Sequence, residues 1–288
     1  MHDTGERGVT GLATSQTVMG ADNVHLHVHR RPGAGPALLL AHGITGSGQM
    51  WADLVPGVPD DWDVVAPDVR GHGRSERASV YDYQLLAQDV ALVCGQLCLQ
   101  RPGVIGHSMG AATVAVCAAL AQDLFCCIVL EDPPWRQAER TAASRRKRAT
   151  VWRQQLEVQQ QGTIEARMTD LQRVRPAWTA AARRSCAEAE RRTDPGVMEL
   201  VASGARPDWR STLAAITCPV LLVCGDPARG AIVTPEIAAE AGTINGHLEV
   251  VTFSGAGHSV RADVGADYTS TIIDFLRRHL EAQSTTAS

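Results

Sequence analysis

The chain contains no apolar run approaching the ~20 residues a helix needs to cross a bilayer. Its first residues, Met1–Val9, are polar and acidic rather than a basic stretch leading into an apolar one. The expectation is a cytoplasmic protein that neither spans nor binds a membrane. Positive charge is also not in surplus: the formal net charge is −4 and the pI near 6.2, which argues against a general nucleic-acid binder and its basic footprint. There are no internal repeats, and no low-complexity tract beyond the terminal EAQSTTAS. The eight cysteines lack metal-type spacing, and Cys117, Cys126, Cys127 and Cys224 fall inside apolar runs such as CCIVL and LLVC. Buried thiols behave as small hydrophobes, so free cysteines in a reducing compartment are expected.

What the chain does have is length and apolar material for one large α/β domain, with 288 residues and 44% hydrophobic content. Short apolar runs, ALLLA (37–41), WDVVAP (62–67), PGVIGH (102–107), CCIVLE (126–131), PVLLVCG (219–225) and LEVVTF (248–253), alternate with helical stretches such as Asp82–Cys98, Ala111–Ala121 and Tyr268–Leu280. Continuous apolar strands suit a mostly parallel sheet covered on both faces. The rhythm predicts a doubly wound α/β fold. Ahead of these runs, NVHLHVHR sets Val24, Leu26 and Val28 against His25, His27 and His29. Two-residue spacing would align three zinc ligands on one strand face. No fourth ligand is identifiable, and an antiparallel strand with a polar outer face accounts for the pattern; no metal is expected.

The strand rhythm stops between Pro133 and Thr212, where Arg, Ala, Gln and Glu dominate and Gly162, Pro176, Pro195 and Pro207 interrupt helical spacing. This predicts a helical cap at 133–212 inserted into a core made of 1–132 and 213–288. From Arg136 to Arg210 there are 16 Lys/Arg against 9 Asp/Glu. A local balance of +7 therefore sits on a remainder of −11. Most of these arginines are expected on solvated helix faces, with some drawing an anionic group toward a cleft beneath.

The stretch VIGHSMGAA places Ser108 in a G-x-S-x-G pattern, after an apolar strand and before an Ala-rich helix. That context permits a tight turn exposing the serine beside a helix N-terminus, so Ser108 is the candidate nucleophile. At these residues the chain resembles the α/β-hydrolase family, from roughly Val18 to Leu280. LLLAHGITGSGQMW is similar to the family's His-Gly loop, APDVRGHGRS to its next strand and turn, and SGAGHSV to the loop bearing the catalytic histidine, which implies His258 as the base. The resemblance further implies an oxyanion hole from the backbone N–H groups of Ile44 and Met109. It also implies structural roles for His42, His72 and His107, and no cofactor.

The acid is harder to place. Most of the family carries it after the seventh strand, where this chain reads GDPARGAIVTP. Asp226 lies there, but its position beside Pro227 suits a turn cap. A minority, including haloalkane dehalogenases and zearalenone-type lactone hydrolases, carries it after the sixth strand, where this chain reads VLEDPPW. The lactone hydrolases also resemble the GQMW stretch. Glu131 is the expected acid, with Asp226 and Asp132 as alternatives, and Asp132 is expected to begin the insertion. The reading is a serine hydrolase of carboxylic esters or lactones, acting on a small, largely apolar substrate in a pocket bordered by Trp135, Trp152, Trp178 and Met168. The same family implies two alternatives, a carbon–carbon bond hydrolase of ring-cleavage products and a non-enzymatic ligand receptor. The expected partner is a small-molecule substrate, with the chain a monomer or homodimer.

Overall fold

The apolar runs become the strands of one eight-stranded sheet. The computed structural model describes residues 11–136, 141–203 and 208–284; Met1–Val9, Pro207 and the last residues of the terminal tail lie outside them. The strands are β1 (Thr14–Met19), β2 (His25–Arg31), β3 (Ala37–Ala41), β4 (Asp63–Pro67), β5 (Gly103–His107), β6 (Cys127–Glu131), β7 (Val220–Cys224) and β8 (Leu248–Thr252). They lie in the order β1-β2-β4-β3-β5-β6-β7-β8. β2 pairs antiparallel with β1 and β4, and every pairing from β4 through β8 is parallel. Parallel neighbours require crossovers, and the helices between the strands supply them.

Period-two alternation divides the sheet's side chains between two cores. On β6, Ile128 and Leu130 join Leu39, Val104 and Leu222 on one face. Cys127 and Val129 join Leu38, Ile105 and Leu221 on the other. The first face is covered by α1 (Tyr83–Gln96) and α2 (Met109–Leu120), and by α7 (Trp209–Ala214) and α8 (Pro235–Ile244). The second is covered by the long last helix, α10 (Ala266–Ser284), which buries Tyr268, Ile272, Phe275 and Leu276. α1 starts where Asp82 accepts a hydrogen bond from Leu85 N at 2.8 Å, satisfying one of the N–H groups a helix start leaves unpaired.

Between β6 and β7 the chain leaves the sheet and forms α3 (Ala142–Gln161), α4 (Ile164–Val174), α5 (Ala180–Arg192) and the single turn α6 (Glu199–Ala202). Three threonines start the three longer helices, with Thr141, Thr163 and Thr179 accepting from Ser144 N, Ala166 N and Ala182 N. Each cap is worth about 1 kcal/mol. Gly162 closes α3. Pro176 follows α4, and Pro195 opens a short turn after α5. Leu156 on α3 and Met198, Leu200 and Val201 pack into the same core as the sheet's first face, which holds the helical insertion over the carboxyl ends of β3, β5 and β6. A short helix, α9 (Val260–Val264), completes the elements. Among the described residues, no helix is long and apolar enough to cross a membrane.

Candidate active site

β5 ends at His107 and α2 begins at Met109, so Ser108 must turn the chain in a single residue. Its backbone sits at φ 52°, ψ −111°, a conformation that costs a residue with a side chain about 1–3 kcal/mol. The flanking glycines make the turn possible by absence of a Cβ: one on Gly106 would lie 2.7 Å from Ala111 Cα, and one on Gly110 2.2 Å from the Ala41 carbonyl oxygen. α2 therefore starts almost in contact with β3. Ser108 is presented at the carboxyl edge of the sheet, where doubly wound folds bind their ligands.

His258 approaches from the loop between β8 and α9. Its Nε2 is 2.9 Å from Ser108 Oγ. The loop is tied by Gly257 N donating to Asp263 at 2.8 Å and by His107 Nε2 donating to the His258 carbonyl at 3.0 Å. Asp263 also accepts from Trp178 Nε1 at 2.8 Å, linking the histidine loop to the helical insertion.

The acid beside His258 is Asp132. Its Oδ2 is 2.6 Å from His258 Nδ1, and the carboxylate also accepts Ile232 N at 2.8 Å and Val233 N at 2.9 Å. The expectation of Glu131 is thus corrected, and strand alternation gives the reason. Glu131 is the last residue of β6 and faces the α10 side, where Tyr268 Oη donates to its Oε2 at 3.0 Å and Arg261 N to its Oε1 at 3.0 Å. Burial raises the Glu131 carboxyl above the usual range. Asp132 follows at φ 40°, so the chain turns and its side chain enters the crevice opposite. Asp226 accepts from Ala228 N at 2.8 Å and caps the Pro227–Arg229 turn. The loop after β7 still contributes to the site, through the backbone N–H groups of Ile232 and Val233 rather than through a carboxylate.

Ile44 and Met109 border the cavity beside Ser108. The loop carrying Ile44 rests on two buried histidines. His42 Nδ1 donates to the Gly43 carbonyl at 2.8 Å while its Nε2 accepts from Val69 N at 3.0 Å. His72 Nδ1 donates to the Arg70 carbonyl at 3.0 Å while its Nε2 accepts from Thr45 N at 3.3 Å. Each ring uses one nitrogen as donor and one as acceptor, the pattern of neutral imidazole. Burial lowers both pKa values, that of His72 to about 3.

Above Ser108 lies a cavity of about 580 Å³. α3 forms one wall, presenting Arg145, Arg148, Trp152, Leu156 and Gln159 at spacings of three and four, one helix face. Apolar side chains such as Leu156, Leu200, Val201 and Ile232 share the lining with four arginines, Arg136, Arg145, Arg148 and Arg175. Trp152 and Trp178 border the cavity as well. Trp135 instead stacks on Trp209 with centroids 5.0 Å apart, and Met168 packs against Leu171 and Trp178.

The histidine strand is less exposed than expected: His25 pairs with Glu76 at the surface, but His29 is buried, with Nε2 3.3 Å from Asp68 Oδ2. Ligand atoms of His27, His29 and Asp68 lie within 4.8 Å of one another. Asp68 already accepts Gly48 N at 2.7 Å and Arg74 N at 2.8 Å. Burial pushes the Asp68 carboxyl up, but the His29 contact, with the Arg74 N–H, outweighs it and lowers the carboxyl to about 2. All eight cysteines are free thiols.

Residues 36–261 match the family described as alpha/beta hydrolase fold. Among curated proteins, the chain is 29% identical over 242 residues to the 2-(acetamidomethylene)succinate hydrolase of Mesorhizobium japonicum, covering 80% of this chain and 84% of that one. It is 26% identical over 259 residues to the N-formylmaleamate deformylase of Pseudomonas putida, covering 89% and 94%. A thermophilic esterase from Thermogutta terrifontis superposes with a TM-score of 0.74 at 23% identity, over 93% of this chain and all of that one, which is a likeness of fold. That match, over most of its length, places the chain in the α/β-hydrolase fold family.

Proposed function

We propose that the chain is a serine hydrolase that transfers a carboxylic acyl group to water through an acyl-enzyme. The observation that supports this best is the continuous hydrogen-bonded path from Ser108 Oγ through His258 to Asp132, at 2.9 and 2.6 Å. A serine hydroxyl is a weak nucleophile at its ordinary pKa and needs a base in contact with it. His258 takes the Ser108 proton on Nε2 as Oγ bonds to the substrate carbonyl carbon. Asp132 holds the ring with its proton on Nδ1 and stabilises the imidazolium that forms. The carbonyl oxygen becomes an oxyanion facing the N–H groups of Ile44 and Met109, a type of contact whose loss costs 10²–10³-fold in other enzymes. As the tetrahedral adduct collapses, the bond to the leaving group breaks and that group takes the proton from His258. Water then repeats the sequence on the acyl-Ser108 ester, releasing the acid and restoring the serine.

The first reading of the bond is an ester, including a cyclic one. A second reading, an amide, is supported by the two relatives that cover most of this chain, whose names, 2-(acetamidomethylene)succinate hydrolase and N-formylmaleamate deformylase, denote acyl–nitrogen compounds. Both readings share the acyl-enzyme, so one experiment tests them together. A fluorophosphonate probe should label the wild-type chain on Ser108, identified by peptide mass spectrometry, and Ser108→Ala should remove labelling and nearly all turnover. An unlabelled Ser108, or an Ala variant that retains its activity, overturns the proposal.

A further inference from the structure

We infer that the cavity above Ser108 contains a carboxylate-binding subsite centred on Arg175, with Arg145 and Arg148 beside it, so that the substrate carries an anionic group in addition to the acyl bond. The inference rests on the serine-hydrolase reading for the bond cleaved and adds the class of molecule that carries it.

The argument begins with α3. Arg145, Arg146, Lys147 and Arg148 are consecutive cations, and on a freely solvated helix all four would point outward. Arg146 and Lys147 do, but Arg145 and Arg148, three residues apart, are half-buried and line the cavity. The helix is rotated so that two cations of the run join Trp152 and Leu156 on the inner wall. Arg148 is further held by stacking, its guanidinium carbon 4.0 Å from the Trp152 ring centroid, which reduces the rotamer freedom lost on binding.

Arg175 enters from a different element. It ends α4, where its N–H donates to the Leu171 carbonyl at 2.7 Å and its own carbonyl accepts from Trp178 N at 3.1 Å, so its backbone is fixed at both groups. Its half-buried side chain lines the same cavity, and among the described residues no carboxylate forms an ion pair with it. The acid on the described lining is Glu190, and its charge is engaged elsewhere: Arg167 Nε and Nη2 bind its two oxygens at 2.6 and 2.8 Å. Arg175 therefore presents to the cavity a guanidinium whose charge no carboxylate of the described lining matches. Guanidinium matches carboxylate in shape and charge, and partial burial strengthens that attraction over its value in water. An uncharged alkyl group in the same place would separate the Arg175 guanidinium from water and return nothing. Ser108, His258 and the arginines border one cavity of about 580 Å³, the size that holds a small molecule. A compact substrate thus meets the nucleophile and the cationic wall at once.

The test compares two esters that differ only in charge, monomethyl glutarate and methyl 5-methylhexanoate, in which an isopropyl group replaces the carboxylate. Methanol release is followed by NMR. A charge-assisted contact predicts that wild-type kcat/KM favours monomethyl glutarate by at least ~10-fold, mainly through KM. Arg175→Met should collapse that ratio toward unity, and Arg175→Lys should keep part of it. Free glutarate should also slow fluorophosphonate labelling of Ser108, a readout that needs neither ester to be turned over, and the wild-type comparison needs no variant to fold. If Ser108 is labelled but glutarate gives no protection and the neutral ester is preferred, the subsite is refuted and the serine hydrolase stands. If Ser108 is not labelled, both fall.

Discussion

Asp132 and His258 are 126 residues apart in the chain and share a 2.6 Å contact, with the carboxylate wholly buried and the imidazole reaching the cavity. Two backbone N–H groups, those of Ile232 and Val233, aim the carboxylate from the far side. A carboxylate held this way both orients the ring and offsets its charge when it takes the serine proton. Asp132→Asn should therefore lower kcat by about 10²–10⁴-fold with KM little changed. Glu131→Gln, one residue earlier, should leave kcat near normal and lower stability. The reverse ranking in steady-state kinetics would return the acid's role to Glu131.

Glu131 has its own requirement. Tyr268 is completely buried and its hydroxyl donates to Glu131 Oε2 at 3.0 Å. Tyr268→Phe removes a donor without changing the packed shape, so the cost is that of an unsatisfied buried carboxylate oxygen. The expected loss is about 1–3 kcal/mol, read from urea midpoints at constant m. An unchanged midpoint would show that Arg261 N alone satisfies the carboxylate.

The strands of the parallel sheet and the Ser108 turn were legible because they follow from local patterns: fully apolar runs of strand length, and a serine between two glycines with a strand before and a helix after; His258 came from the resemblance of SGAGHSV to the family's histidine loop. The acid was not legible from the same kind of pattern. Which of two adjacent carboxylates enters the crevice depends on the facing of β6, and Val129 lies on the α10 side with Glu131. That parity needs the neighbouring strands before it can be read. β1 was missed because TSQTVM buries one side chain, Val18, and is otherwise exposed, so it carries no apolar alternation. The cationic cavity wall was half visible, as a surplus of arginine in the insertion; which arginines turn inward depends on how α3 is rotated.

Glycine positions give predictions of opposite sign. At Gly110 an added methyl would sit 2.2 Å from the Ala41 backbone oxygen, and no side-chain rotation relieves a clash with backbone. Gly110→Ala should push α2 from β3, displace the Met109 N–H, and reduce both stability and turnover, by more than ~1–3 kcal/mol in stability. Gly242, within α8, has nothing within 4 Å of the same position. Gly242→Ala should raise stability by about 0.5–1 kcal/mol by restricting the unfolded chain. Thermal midpoints of the two variants should move in opposite directions, and two shifts of the same sign would contradict the geometry.

Acid should loosen the loop that carries Ile44 before it protonates most carboxylates. His42 and His72 are buried, and each accepts a backbone N–H on Nε2, so protonating either would set two N–H groups against each other. Burial accordingly lowers both pKa values, that of His72 to about 3, although Asp68 nearby acts in the opposite direction. In the unfolded chain both titrate near ~6.5. Below that pH the unfolded state binds protons that the folded state refuses, so stability falls as pH falls. For His72 the window runs from ~6.5 down to about 3. The slope approaches ~1.4 kcal/mol per pH unit for each histidine once the unfolded chain is fully protonated. Asp68, at about 2, adds its own loss only below ~4, outside this range. Urea unfolding at pH 7, 6 and 5 should show a steepening loss, and His72→Gln, whose side-chain oxygen can still accept from Thr45 N, should remove about half of the slope assigned to the pair. A stability that stays level from pH 7 to 5 would mean that these rings take up protons in the folded state, and that the donor–acceptor arrangement around Ile44 tolerates a charged imidazole.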